Sequence, residues 1–171
     1  MIDNFQEKRS FLGKFLYKIT MIAGTWLTYH MWLYHILSYT WGFLTTFIGW
    51  LCYGFVKLFL GKKIKEEGKF GPSHYLLFGD NWGGLEMGTN FFVAGNMGEE
   101  WTLHTKCHEL GHNIQNAIWG PFNLFISFIP SVIRYWYQHF QEKKGKEVKP
   151  YDQAWFEGSA TDLGEYYYNH C

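Results

Sequence analysis

The chain has 171 residues, enough for one compact domain, and its 15 Lys plus Arg balance its 15 Asp plus Glu. That balance lacks the basic signature of a nucleic-acid binder, so no nucleic-acid partner is expected. Aromatic residues reach 22%, which suits a chain that meets a membrane interface, and Cys52, Cys107 and Cys171 stand in no C-x-x-C pattern, which excludes a cysteine zinc site and a disulfide framework.

In chain order, residues 1–10 are polar, and Lys8, Arg9, Lys14 and Lys18 precede a long apolar run. From Ile19 to Val56 there is no Asp, Glu, Lys or Arg. About 20 apolar residues cross a bilayer as a helix, so the run is expected to form one transmembrane helix or a two-helix hairpin. Ile36 to Val56 is the stronger span, and Phe11 to Leu33 a weaker one that can lie in the interface. Lysines on both flanks favour a hairpin under the positive-inside rule, with a membrane location and the catalytic part facing the cytoplasm. The expected division is therefore 1–61 as a membrane-associated segment, 62–72 as a charged linker, and 73–171 as the catalytic domain.

Within that domain, Tyr75 to Phe78 and Leu85 to Ala94 flank the turn-rich Gly79 to Gly84, a β-hairpin pattern. Glu99 and Glu100 then suit the first turn of a helix running to about Ala117. Phe122 to Ile129 is too short to span and is either core or a membrane-dipping element. Ser131 to Lys143 has amphipathic helical spacing. A last helix should start near Tyr151 and run to about Tyr168. The fold class expected is α+β, mainly α.

The helix that opens at Glu99 carries His108-Glu109-Leu110-Gly111-His112. Two histidines four residues apart lie one turn apart on one face and can reach the same ion. Glu109, beside the first ligand, is placed to take a proton from water at that ion. Gly111 lets another backbone approach this face. A catalytic zinc site needs a third protein ligand. His104 continues the spacing but stands about 12 Å along the axis from His112, so it belongs on the rim or near substrate. A third histidine six residues after His112 is ruled out because that position is Ile118. The last helix offers Glu157, which shares a face with Ala160, Thr161 and Gly164. A carboxylate among small residues can be pressed against another helix, so Glu157 is the expected third ligand.

HELGH followed by a helix with Glu157 and Ala160 resembles the gluzincin type of zinc metallopeptidase, particularly small membrane-linked members with an E-x-x-A signature. Asn81 to Gly84, His108 to Gln115, Gly120-Pro121 and Trp155 to Glu157 also resemble segments of uncharacterised bacterial membrane proteins. The resemblance covers about Tyr75 to Gly164. It implies a zincin-like core: a small antiparallel sheet, the active-site helix, then the glutamate helix. It also implies Zn²⁺ held by His108, His112 and Glu157, with a peptide or protein as substrate. One departure stands out. The Asp that gluzincins commonly place four residues after the ligand Glu is here Thr161. Asp162, Asp152 or Asp80 is then left to orient the first histidine.

The activity expected is peptide-bond hydrolysis by a membrane-anchored enzyme, with the lipid bilayer as second partner. The alternative is a non-enzymatic membrane or accessory protein with a structural or degenerate metal site. Tyr166, Tyr167, Tyr168, His139 and Arg134 are the candidates for an oxyanion donor. The polar stretch before the motif, Glu99 to Lys106, argues against a motif inside the bilayer.

Overall fold

The computed structural model describes residues 8–171. The apolar run forms three helices rather than one or two. Breaks near His30 and at Thr40–Gly42 divide it into α1 (Phe11–Thr28), α2 (Met31–Tyr39) and α3 (Phe43–Leu60). Ser10 starts α1, its hydroxyl accepting the Gly13 N–H at 3.2 Å.

The expected linker contains a strand. β1 (Ile64–Phe70) pairs antiparallel with β2 (Ser73–Phe78) through a turn in which Gly71 takes a positive φ of 57°. Its charged residues fit an edge strand. The expected hairpin across Gly79–Gly84 is also replaced. β3 (Gly84–Met87) and β4 (Asn90–Ala94) make the hairpin instead, and β4 runs parallel to β2, giving the order β1-β2-β4-β3. The reason lies in burial. Every residue of β4 is buried, as a central strand requires, and Gly88-Thr89 supplies a second turn inside the run. The sheet is thus mixed rather than antiparallel, within a chain that is mainly helical.

The two faces of the sheet take different helices. Tyr75, Phe91 and Val93 pack with Trp101 of α4 (Glu99–Trp119). Leu76, Phe78 and Phe92 pack with Cys52, Tyr53 and Val56 of α3. α3 with the turn that follows it, Phe43–Lys63, is the one continuous helical stretch among the described residues long and apolar enough to cross a membrane, and 17% of its most apolar 18 residues are buried. Its outer residues Phe47, Leu51, Phe55 and Leu58 are exposed.

α1 and α2 share a core with α4 and α6 (Trp155–His170): Leu27, Tyr34, Leu110, Ile114 and Leu163 cluster there. α6 lies directly on α4. A methyl group at Gly111 would stand 1.8 Å from the Ala160 carbonyl oxygen, and one at Gly164 would stand 1.7 Å from that of Cys107. The two backbones are therefore in contact at both points. Between α4 and α6 the chain makes a turn at Gly120–Phe122, a π-helical turn at Leu124–Phe128 and α5 (Ile129–Lys143).

Because the obstacle at each glycine is backbone, Gly164→Ala is expected to cost about 3 kcal/mol or more, the upper end of overpacking effects. Thermal unfolding measures this, and an unchanged midpoint would contradict the close crossing.

Candidate metal centre

The crossing of α4 and α6 brings three ligand atoms together. His108 Nε2 lies 3.1 Å from His112 Nε2 and 3.2 Å from Glu157 Oε2, and His112 Nε2 lies 3.1 Å from the same oxygen. Ligands at 2.0–2.1 Å in a tetrahedron stand about 3.3 Å apart, close to these edges. The three residues form a group that can hold a metal ion. Glu157 is fully buried, and its Oε1 has no hydrogen-bond partner. A buried carboxylate oxygen left without a donor is costly, and a cation in this triangle would relieve it.

The outer nitrogens of both rings are fixed by partners. Thr161 Oγ donates to Asp152 Oδ1 at 3.2 Å, which leaves its lone pair to accept from His108 Nδ1 at 2.8 Å. Gln115 Nε2 donates to the Phe156 carbonyl at 2.6 Å, so its Oε1 must face His112 Nδ1, at 2.9 Å. Ser127 Oγ donates to the same Oε1 at 2.9 Å. Both neutral rings therefore carry the proton on Nδ1 and turn the Nε2 lone pair inward. Thr161, which stands where the resembled family has Asp, makes the contact itself and passes it on to Asp152. Asp162 does not serve this role; its Oδ2 accepts from Tyr17 of α1 at 2.5 Å. Asp80 is exposed in the β2–β3 loop.

Charge in the metal-free site follows the geometry. Burial works against a charged His112, but the Glu157 carboxylate outweighs it and raises His112 above its ordinary range. Burial would raise Glu157, yet the two imidazoles hold it well below the carboxylate range. Glu109 is buried, and burial raises its carboxyl despite both histidines. A methyl at Gly84 would meet Glu109 Oε1 at 2.2 Å, so the start of β3 lies directly over this carboxylate.

Two cavities open on the triangle and share His108, Glu109, Gly84, Trp82, Tyr135 and Tyr151. One, of about 390 Å³, includes the ionisable side chains His104, His139 and Glu142. The other, of about 500 Å³, is lined by Leu85, Phe128, Val132 and Trp136, with Glu86 in its wall. His104 thus sits on the rim, exposed and 3.6 Å from Glu165.

The expected oxyanion donors fare differently. Tyr166 pairs with Tyr29, Tyr168 stacks on Phe70, and Tyr167 packs on Gly71, so none of the three lines the cavities. Arg134 instead binds the backbone carbonyls of Pro150 and Tyr151, while buried Arg9 binds those of Asp152 and Gln153. The two guanidiniums grip the turn that carries Tyr151 and Asp152. Tyr151 was not singled out in the sequence. Burial, then the Glu157 charge, raises its phenol, so it remains a hydrogen-bond donor. Glu86 was also missed. It is buried on β3, accepts the Gly88 N–H, and is pushed up to about 8 by burial.

No known protein family, curated protein or solved structure matches this chain. The centre stands on its own geometry.

Thr161→Val keeps the shape and removes the hydroxyl, and is expected to lower metal affinity about 10–100-fold. Chelator competition on the purified protein measures it, and unchanged affinity would remove Thr161 from the site. Metal binding must also expel the His112 proton. Affinity should therefore fall as pH drops, and the fall should begin above the ordinary imidazole value of 6.5. A fall confined to lower pH in the same titration would contradict the His112–Glu157 pairing.

Proposed function

We propose that the chain is a membrane-anchored, zinc-dependent metallopeptidase of the gluzincin type, with β3, α4 and α6 as a zincin-like core. One observation carries the reading. Two inward-facing imidazole lone pairs and a buried carboxylate oxygen converge at tetrahedral spacing beside a second carboxylate, Glu109, at an open cavity. Two nitrogens and one oxygen suit zinc, and three protein ligands beside an accessible space mark a catalytic site, whereas a structural zinc is closed by four.

Zinc held by His108, His112 and Glu157 would supply Lewis acidity for activating water and polarising a carbonyl. Glu109 takes the proton of the attacking water and returns it to the leaving amine, a task its burial-raised carboxyl suits. Tyr151 donates a hydrogen bond to the carbonyl oxygen as charge builds there. β3 is the free edge of the sheet at the cavity, so an extended peptide can pair with it by strand addition. The apolar cavity then receives a side chain of the peptide.

The exposed outer face of α3 supports the membrane anchor. The lysines on both sides of the apolar run support an orientation toward the cytoplasm.

Glu109→Gln is the decisive test. Glu109 is not a ligand, so the variant should retain one equivalent of zinc while peptide cleavage falls by about 10²–10⁴. Cleavage at the parent rate would refute the mechanism. Zinc binding with no cleavage of a broad peptide library by the parent protein would make the metal structural.

A further inference from the structure

α5 is amphipathic in the inverted sense. Ser131, Tyr135, Gln138 and Glu142, at helical spacing, line the two cavities. The opposite stripe is Ile129, Ile133, Trp136, Tyr137 and Phe140, and all five are exposed, the last four by 57–63%. The preceding segment repeats the inversion. Asn123 and Ser127 are buried, while Phe122 and Phe125 are 59% and 66% exposed. A helix on a water-soluble surface puts its apolar stripe inward. Here about five turns of chain do the reverse, beside the candidate catalytic cavity.

We propose that the outer face of Phe122–Phe140 is a membrane-contact surface that seats the cavity at the bilayer interface. Three further observations identify the bilayer as the occupant. The stripe carries Trp136 and Tyr137, amphipathic rings suited to headgroup depth. It is followed by exposed Lys143, Lys144, Lys146 and Lys149, which match anionic headgroups. It is also continuous with the apolar outer face of α3. The Trp41 indole N–H donates to the Ile118 carbonyl at 3.2 Å and its ring meets Phe122 edge-on at 6.0 Å, so the start of α3 and the start of the inverted segment abut. α4 and the 124–143 segment meet at 116°, which lets α4 stay with the sheet while α5 lies across the mouth of the site.

Trp136 belongs to both surfaces. It lines the apolar cavity and is 62% exposed outside. An apolar side chain can thus pass from the bilayer interface to the cavity without crossing bulk water. On the peptidase reading above, the substrate class is a polypeptide segment held at the membrane surface.

The surface is tested without metal or cleavage, so it can fail separately from that reading. The full chain, with its three cysteines replaced, receives a single spin label at Phe125→Cys, Ile133→Cys or Tyr137→Cys, or at Lys146→Cys for comparison. It is reconstituted in vesicles of phosphatidylcholine and phosphatidylglycerol. At the first three positions collisions with oxygen should exceed those with a water-soluble nickel complex several-fold, and at Lys146 the order should reverse. Water-like behaviour at all four positions overturns the proposal. So does shielding of the first three from both reagents, which would mean that a second copy or another protein covers the stripe. The labelled sites are all exposed, and circular dichroism matching the parent confirms that each variant is folded.

Discussion

The contact on which the site depends is the bare crossing of α4 and α6. Gly111 and Gly164 each face the other helix's backbone, so the helices approach more closely than side chains normally allow. Only at that separation can the short Glu157 side chain reach the Nε2 atoms of His108 and His112. Ala160 and Thr161 continue the small face, and Thr161 uses the proximity to hold His108. The same contact that packs the core therefore fixes the ligand triangle.

That triangle is electrostatically uncomfortable by itself. Two lone pairs and a buried carboxylate face one another, and the surrounding hydrogen bonds keep them from turning away. The metal-free chain relieves this by protonating His112 against Glu157. A cation relieves it more completely, so metal binding and the stability of the α4–α6 pair are linked. The turn at 150–153 adds a further constraint. Arg9 reaches it from the N-terminal side and Arg134 from α5, so residues far apart in sequence hold Tyr151 and Asp152 over the site.

The elements around the centre divide the labour. β3 presents an edge, Glu109 lies beneath its first residue, and α5 forms the far wall with its polar side inward. The outside of α5 and the outer face of α3 are both apolar and exposed, and they meet near Trp41 and Phe122. α1 and α2, apolar enough to suggest a membrane segment, pack one side on α4 and α6 and leave Phe15, Ile22, Trp26 and Trp32 exposed on the other. Their small residues explain this, since Gly24 lies against Leu163 and Thr20 hydrogen-bonds the Trp119 indole.

Much of the centre was legible locally. His108, Glu109 and His112 sit at one-turn spacing, and the small-residue face marked Glu157, because helical periodicity alone decides which side chains share a face. The helices α4, α5 and α6 followed from the same periodicity and from their turn residues. The strand order did not, because a parallel β2–β4 pairing depends on which strand can be buried on both faces, a property of the whole sheet. Nor did the outer partners of the ligands. Gln115 and Asp152 act through orientations set by Phe156 and Thr161, and Tyr151 enters the cavity because two distant arginines hold its turn. Sequence by itself determined the ligand chemistry, since that needs only residue type and helical spacing. Tertiary structure alone decided which residues orient those ligands, line the cavity and face outward, since those roles depend on where separate elements meet.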